Sequence, residues 1–415
     1  MVFKMKNYYL GSKLKSTIIF FLCLISLTSF ASDITNIYLI KNPNYLGDYN
    51  QLLGISKKTK GYFNKHNISV NIEEYNITEL ESLRYKMKTN NDKSTIIILS
   101  AGVYGIEAIK SLKSDHSILH HILAIHVSHQ ILNDKFTHSQ LLQANDRKSG
   151  ADIIVLPDHV LDSKSKALLG NSKYTQLVKT VGVAHNLELS KIKKEYTEFK
   201  DILPKSDKYL GVILGGDAPD SNGKIHYYTE LDAQKLAQYI SDLAIKEKYT
   251  VLLTNSPRAG KHDPITGKER DGMHNNNLID PVTLKFQEVL TVNKVAFKLF
   301  DFQKNKPNLY KAIVGAVLYN TNSRIFVPGE STSMISECID ILPAGSVTIY
   351  YNSAMGNVHE RHVKAEFDNG RASTLDSNMQ FKNPNHNIIV KINSANDVIA
   401  ESIYNLYTSD VVVDK

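Results

Sequence analysis

Short apolar runs rich in Ile, Val and Leu alternate with longer amphipathic stretches from residue 34 onward. Six runs, at 34–41, 68–75, 94–102, 121–128, 151–158 and 177–184, read as one set of strands. A charged helical stretch, "LSKIKKEYTEFKDIL" (189–203), separates them from a second set at 209–216, 249–256, 295–302, 323–329, 345–351 and 386–392. Most runs lack the period-two alternation of a half-exposed strand, as expected for parallel strands covered on both faces. Helix-period segments lie between them, for example 229–248 and 308–321. Strand–helix repetition on this scale predicts an α/β protein of two doubly wound, Rossmann-like domains.

"LPKSDK" (203–208) supplies a proline and polar residues between the two patterned halves. The expected domains are therefore 32–206 and 207–415, with the last helix, "ANDVIAESIYNLYTS", packing across the boundary. Two such domains facing each other form a cleft. Ligands of open α/β sheets bind beyond the carboxyl ends of the strands, so both domains should offer loops to it.

The first 31 residues stand apart. Four lysines and no acid precede and enter a short apolar run, and Ser29 and Ala31 supply the small residues of a cleavage site before Ser32. This is the pattern of a secretory signal peptide, and it predicts a periplasmic or secreted protein. The alternative is an uncleaved N-terminal anchor that keeps the protein at a membrane. Removing the four lysines lowers the formal charge from +7 to +3. No basic stripe interleaved with aromatics remains, so nucleic acid is not an expected partner. Of the two cysteines, Cys23 lies in the leader, leaving Cys338 alone, on the apolar side of a helix, as a buried thiol.

Candidate chemistry gathers at strand ends that finish in glycine. Gly47, Asp48, Asn50 and Gln51 open the first helix, either as a ligand-facing turn or as an ordinary turn with Asp48 as its cap. Gly102 opens the helix after the third run. "VILGGDAPD" places Gly215 and Gly216 where backbone amides can donate to phosphate. Asp217 and Asp220 follow without nearby ligands of the right type, so no metal is expected there. Ser256 and Arg258 follow the next strand, and a guanidinium suits a diphosphate. The fullest stretch is "RIFVPGESTSMISECIDI", with Ser331, Thr332 and Ser333 at a helix start and Glu337 further along. Free amides, hydroxyls and the positive helix end favour an anion, and Glu337 would accept from ribose or sugar hydroxyls. Glu330 beside that anion would oppose it. His126, at the end of the fourth run, is either a base facing the cleft or a core histidine. His359 and His362 lack a third ligand and read as structural.

"YKAIVGAVLYNTNSRIFVPGESTSMISECIDILPAGSVTIYY" resembles the signature region of the mitochondrial-fission (elongated-mitochondria) family of GT-B glycosyltransferases, through Ser331, Ser333, Met334, Ser336, Glu337 and Cys338. "GDYNQLLGI" is similar to an upstream family segment through Gly47, Asn50, Gln51 and Gly54. "LSAG", "LPDH", "TVGVAHNL" and "VILGG" follow in the family's order. The resemblance implies a GT-B fold of two facing Rossmann-like domains, no cofactor and no bound metal. It implies a donor, nucleotide-linked or lipid-linked, at Gly215, Gly216, Ser256, Arg258, Ser331, Thr332, Ser333 and Glu337. Gly47, Asn50, Gln51 and Gly102 would then lie on the acceptor or phosphate side, with Asp48 or His126 as the catalytic base. The acceptor would be a glycan, lipid or protein. The family's second-domain arginine pair is reduced here to Arg258, with Lys261 displaced. Two other readings are a GT-B-shaped binding or scaffold protein without turnover, and a periplasmic solute-binding protein. The latter class passes its chain between lobes more than once, whereas one crossover near 203–208 is expected here.

Overall fold

The structure, a computed structural model, describes residues 34–90, 95–128, 150–161, 174–220, 223–275, 277–384 and 393–413. The leader, residues 1–31, and the strand expected at 386–392 lie outside the described residues. The first domain contains β1 (Ile34–Lys41), α1 (Leu46–Lys65), β2 (Ser69–Asn76), α2 (Leu80–Thr89), β3 (Ile96–Ala101), α3 (Gly102–Lys113), β4 (Ile122–Val127), β5 (Ile153–Pro157) and β6 (Gln176–Thr180). Then follow α4 (Leu189–Phe199), β7 (Tyr209–Leu214), the short strands β8 (Ala218–Pro219) and β9 (Ile225–His226), α5 (Glu230–Glu247), β10 (Thr250–Asn255), α6 (Pro281–Val292) and β11 (Phe297–Phe300). The chain continues through α7 (Tyr310–Tyr319), β12 (Arg324–Pro328), α8 (Thr332–Ile341), β13 (Val347–Tyr350), α9 (Asn357–Asp368), β14 (Ser373–Leu375), β15 (Phe381–Lys382) and α10 (Ala395–Val413).

The first sheet is all parallel, in the order β2-β1-β3-β4-β5-β6. The second runs β11-β10-β7-β12-β13-β14-β15, parallel except for the antiparallel edge strand β15. Strand order reverses between β1 and β3 in the first sheet and between β7 and β12 in the second. Those reversals are the topological switch points at which doubly wound sheets open a crevice. The expected fold class, two doubly wound Rossmann-like sheets, is observed.

The missing alternation has a direct cause. Tyr38, Ile40, Ile96 and Ile98 pack on one face against Met87 and Ile109. Ile37, Leu39, Ile97 and Leu99 pack on the other against Leu52, Ile55 and Ile399. Successive positions in the middle of β1 and β3 are thus apolar because helices cover both faces. The second sheet repeats the arrangement, with Leu210 and Val212 facing Leu236 and Phe286, and Ile213 and Val327 facing Ile335 and Cys338. Cys338 is fully buried, and burial pushes its thiol up to about 12.

Two segments join the domains. Leu187 and Ile192 belong to the core under the second sheet, as does Leu203. Helix α4 therefore lies before the expected 206/207 boundary yet packs on the second domain, and the chain passes over through residues 181–188. Helix α10 returns: Ile399, Ile403 and Tyr407 enter the first domain's core, and Tyr407 hydrogen-bonds Thr35 Oγ1 at 2.8 Å. Burying Ile399 and Ile403 contributes about 1.5–3 kcal/mol each. The chain accordingly crosses between domains twice. Among the described residues no helix is long and apolar enough to cross a membrane.

Candidate functional site

At the first switch point, α1 and α3 begin beside each other. Gly102 has a φ of +70°, and a Cβ there would come within 2.5 Å of Asp48 Oδ2. Glycine thus leaves the space that the Asp48 carboxylate fills, at the positive end of α3. Asp48 is 9% exposed. His126 ends β4 next to them, with Nδ1 3.1 Å from Ser100 Oγ and only 1% of its surface exposed. Its Nε2 is buried without a hydrogen-bond partner among the described residues. Burial lowers the imidazole to about 4, against the opposing pull of the Asp48 charge. His126 is therefore neutral at pH 7 and sits behind the cleft surface. The structure brings Asp48, Gly102 and His126 together. Gly47 and Asn50 are exposed on the same helix, whereas Gln51 is turned into the protein.

The second switch point is built differently. Gly215 N donates to Tyr350 Oη at 3.0 Å, and Gly216 N donates to Glu330 Oε1 at 2.8 Å. A Cβ at Gly215 would lie 1.9 Å from that same Oε1. These two amides, expected to face phosphate, are already engaged by protein groups. The glycines make room for Glu330, whose Oε2 also accepts from Asn352 Nδ2 at 2.6 Å. Glu330 is 3% exposed, and burial pushes its carboxyl up while Asn352, the Gly216 amide and the Arg258 charge hold it down. The carboxylate expected to repel an anion here thus occupies a turn that an anion would otherwise use.

Arg258 follows β10. Its backbone is pinned: Arg258 N donates to Ser256 Oγ at 3.2 Å, and its carbonyl accepts from Asp217 N at 3.1 Å. Ser256 is buried in this anchoring role. The Arg258 guanidinium is partly exposed, and among the described residues it forms no ion pair. Its charge is felt by Glu330 and by His359, whose imidazole is lowered to about 4 by burial first and then by Arg258, His362 and His226. Ser331 occupies the N-cap position of α8 without making a side-chain cap bond. The first amides of α8 are thus left without that partner, beside the hydroxyls of Thr332 and Ser333.

Glu337 lies six residues beyond Ser331, about 9 Å along the helix. Its Oε2 accepts from Tyr310 Oη at 2.8 Å, and burial raises its carboxyl while the nearby His185 charge lowers it. The helix rotation turns it toward α7 and the crossover segment. The neighbouring Ser336 Oγ accepts from Val183 N at 3.0 Å. Asp340 links His185, at 3.1 Å, to Arg371, which also reaches Glu366 at 2.9 Å and the Val181 carbonyl at 3.2 Å. The second half of α8 is thus a domain joint, while its first turn faces the switch point.

His359 was read as structural in the sequence and stands in the charged group around Arg258. Its Nδ1 accepts from Gly356 N at 3.0 Å at the start of α9. Position after β13, on the same side of the sheet as β7 and β12, was the available signal. His362 is fully buried against Glu366 at 3.1 Å. On α9, Arg361 Nε donates to the His159 carbonyl at 2.9 Å, tying this end of the second domain to the first. A cavity of about 740 Å³ lies elsewhere, bounded by Lys57, His185, Asp340 and Asn396 behind the joint.

No protein-family model matches this chain, and no curated protein matches it. It is similar to the solved structure of a trehalose-6-phosphate synthase at 10% identity, with 91% of this chain and 98% of that chain covered and a TM-score of 0.39. A glycosyl transferase family 9 protein from Veillonella parvula is similar at 11% identity, covering 94% and 99%, with a TM-score of 0.38. A UDP-GlcNAc 2-epimerase from Neisseria meningitidis, bound to UDP-GlcNAc, is similar at 11% identity, covering 90% and 100%, with a TM-score of 0.36. These scores lie below 0.5, and the description of the fold rests on the two strand orders.

Proposed function

We propose that the protein is a glycosyltransferase of the GT-B kind, taking a sugar from a diphosphate-linked donor held at the second switch point. The observation that carries this reading is Arg258, a guanidinium without an ion pair among the described residues, beside the uncapped start of α8. Such a pair of features suits a diphosphate oxygen better than a neutral ligand. The resemblance of residues 310–351 to the elongated-mitochondria family supports the same assignment. In the transfer, the bond from the anomeric carbon to the diphosphate breaks, and a bond to an acceptor oxygen forms. Arg258, the α8 amides and the hydroxyls of Ser331, Thr332 and Ser333 stabilise the departing charge. Asp48, across the cleft, takes the acceptor proton, with His126 behind it as a neutral neighbour. If residues 1–31 direct export, a lipid-linked diphosphate is the donor most accessible to the folded chain.

A second reading, ligand binding without turnover, draws on two observations. Glu330 already fills the glycine turn, and the chain crosses between domains twice, as in two-lobed solute-binding proteins. The test is calorimetric titration of the full chain with UDP, GDP, ADP, their glucose derivatives and undecaprenyl diphosphate sugar. Saturable binding of a diphosphate, weakened in Arg258→Ala and followed by release of free sugar or transfer, supports the enzyme. Binding without either product supports the second reading. No diphosphate binding at all overturns both the donor site and the transferase assignment.

A further inference from the structure

We infer that His274, Asp280 and Asp301 form a binding site for one divalent transition-metal cation, which braces the loop carrying Arg258. A ring nitrogen of His274 and one carboxylate oxygen from each aspartate lie within 4.8 Å of one another. His274 is 2% exposed and Asp280 fully buried, while Asp301 is partly buried.

The histidine carries the argument. Its Nε2 lies 3.0 Å from the Ala259 carbonyl, which can only accept, so Nε2 bears the proton. That leaves Nδ1 with a lone pair. Nδ1 is buried and has no hydrogen-bond partner among the described residues. An imidazole donating one N–H to a backbone carbonyl while offering the other nitrogen is the usual second-shell arrangement of a metal-ligating histidine. His274 is also fixed in place, with a φ of +60° and its own carbonyl accepting from Lys304 N at 3.0 Å.

The carboxylates are oriented in the same manner and keep capacity to spare. Asp280 Oδ1 accepts from Thr283 N at 2.9 Å, and Oδ2 from Thr283 Oγ1 at 2.7 Å and Asn255 Nδ2 at 2.9 Å. Asp301 Oδ1 accepts from Asn255 Nδ2 at 2.8 Å, and its Oδ2 from Gln303 Nε2. Each oxygen offers about two lone-pair sites, so each carboxylate retains at least one. Asn255 thus holds two acids side by side. Among the described residues neither has an ion-pair partner. The ion pairs of this region run elsewhere, from Lys261 to Glu269, Arg270 to Asp263 and Lys285 to Glu288. A buried carboxylate beside a partly buried one, with no cation between them among the described residues, is costly, and a divalent ion offsets that cost.

An entry path exists. Asp301 also lines a cavity of about 480 Å³, together with Asn277, Phe302, Gln303 and Lys306. Lys306 at its rim is engaged with Asn277 Oδ1. Ligands about 2.0–2.2 Å from an ion sit closer together than 4.8 Å, so the three side chains draw inward on binding. One imidazole with two carboxylates suits Zn²⁺, Mn²⁺ or Co²⁺, and disfavours Ca²⁺ and Mg²⁺, which prefer all-oxygen sites. The ligands come from the 256–280 loop, the N-cap of α6 and the end of β11. Closing them on an ion fixes that loop, and Arg258 and Ser256 with it.

The test uses the full chain after chelator treatment, titrated separately with Zn²⁺, Mn²⁺, Co²⁺ and Mg²⁺ by calorimetry, with the Co²⁺ visible spectrum as a second readout. The expected result is one equivalent of Zn²⁺, Mn²⁺ or Co²⁺ bound, a ligand-field band for Co²⁺, and a raised Tm. Asp301→Asn should weaken binding by roughly 100-fold, and His274→Gln should abolish the Co²⁺ band. Circular dichroism establishes that each variant is folded, and Asp301→Asn alone suffices if His274→Gln is not. No saturable binding by any of the three cations overturns the site. So does binding that survives unchanged in folded Asp301→Asn, or a preference for Mg²⁺.

Discussion

The two switch points place comparable carboxylates at comparable positions. In the first domain Asp48 fills the space over Gly102, with the neutral His126 buried behind it. In the second, Glu330 fills the turn made by Gly215 and Gly216. They differ in what stands alongside. Beside Glu330 are a guanidinium that has no ion pair among the described residues and a helix start without a side-chain cap. Glycine after a strand therefore signals room, and the occupant of that room decides the chemistry. The first domain's switch point sets its carboxylate beside a neutral imidazole, and the second sets its carboxylate beside a guanidinium.

That contrast can be broken in several ways, beginning with the largest effect. His126 has a folded pKa lowered to about 4, so the unfolded chain takes up its proton first as pH falls. Stability linked to this group is fully present above about 6.5 and is lost as pH falls toward 4, amounting to about 3 kcal/mol. Urea unfolding at pH 7 and at pH 4.5 should show this loss, and it should shrink in His126→Asn. An unchanged loss in the variant would assign the acid sensitivity to other groups.

Arg258→Ala should weaken diphosphate binding by about 30- to 100-fold, the worth of a charge-assisted contact. Asp48→Asn should change it by less than about threefold if the anion sits at the second switch point as proposed. Equal losses in the two variants would erase the contrast. A smaller effect is expected from Glu330→Gln. Removing the charge beside the anion should tighten diphosphate binding by up to about tenfold. The new amide would face Asn352 Nδ2, donor against donor, at a stability cost of about 1 kcal/mol. Weaker binding in this variant would mean that Glu330 holds the ligand rather than opposing it. Asn50→Ala, on the exposed side of α1, should alter stability by less than about 0.5 kcal/mol and leave diphosphate affinity unchanged.

Much of the fold was legible because burial on both faces writes β-branched runs into the chain. Eleven of the twelve expected strands correspond to observed ones, and the twelfth falls outside the described residues. Strand β14 and the edge strand β15 were not legible, since "STL" and "FK" are too short to form an apolar run. Helix α4 carried an apolar face in the sequence, but Pro204 marked the more visible break. The surface it covers, around Val314 and Val317, lies more than a hundred residues away. The site was legible as a set of strand ends and not as a set of partners. Tyr350 and Asn352 occupy the positions that satisfy Gly215 and restrain Glu330, and no local pattern links 216 to 330 or 350. Glu337 was placed by proximity in sequence to Ser331, whereas helix geometry turns it toward Tyr310. His274, Asp280 and Asp301 have no motif spacing, and only the convergence of a loop, a helix N-cap and a strand end reveals them.

Amide hydrogen exchange with and without saturating nucleoside diphosphate tests the central contrast most directly. The account predicts slowed exchange in peptides covering 256–260 and 331–335, with those covering 46–51 and 100–105 unchanged. Protection confined to 46–51 and 100–105 would contradict it, placing the anion at the first domain's switch point.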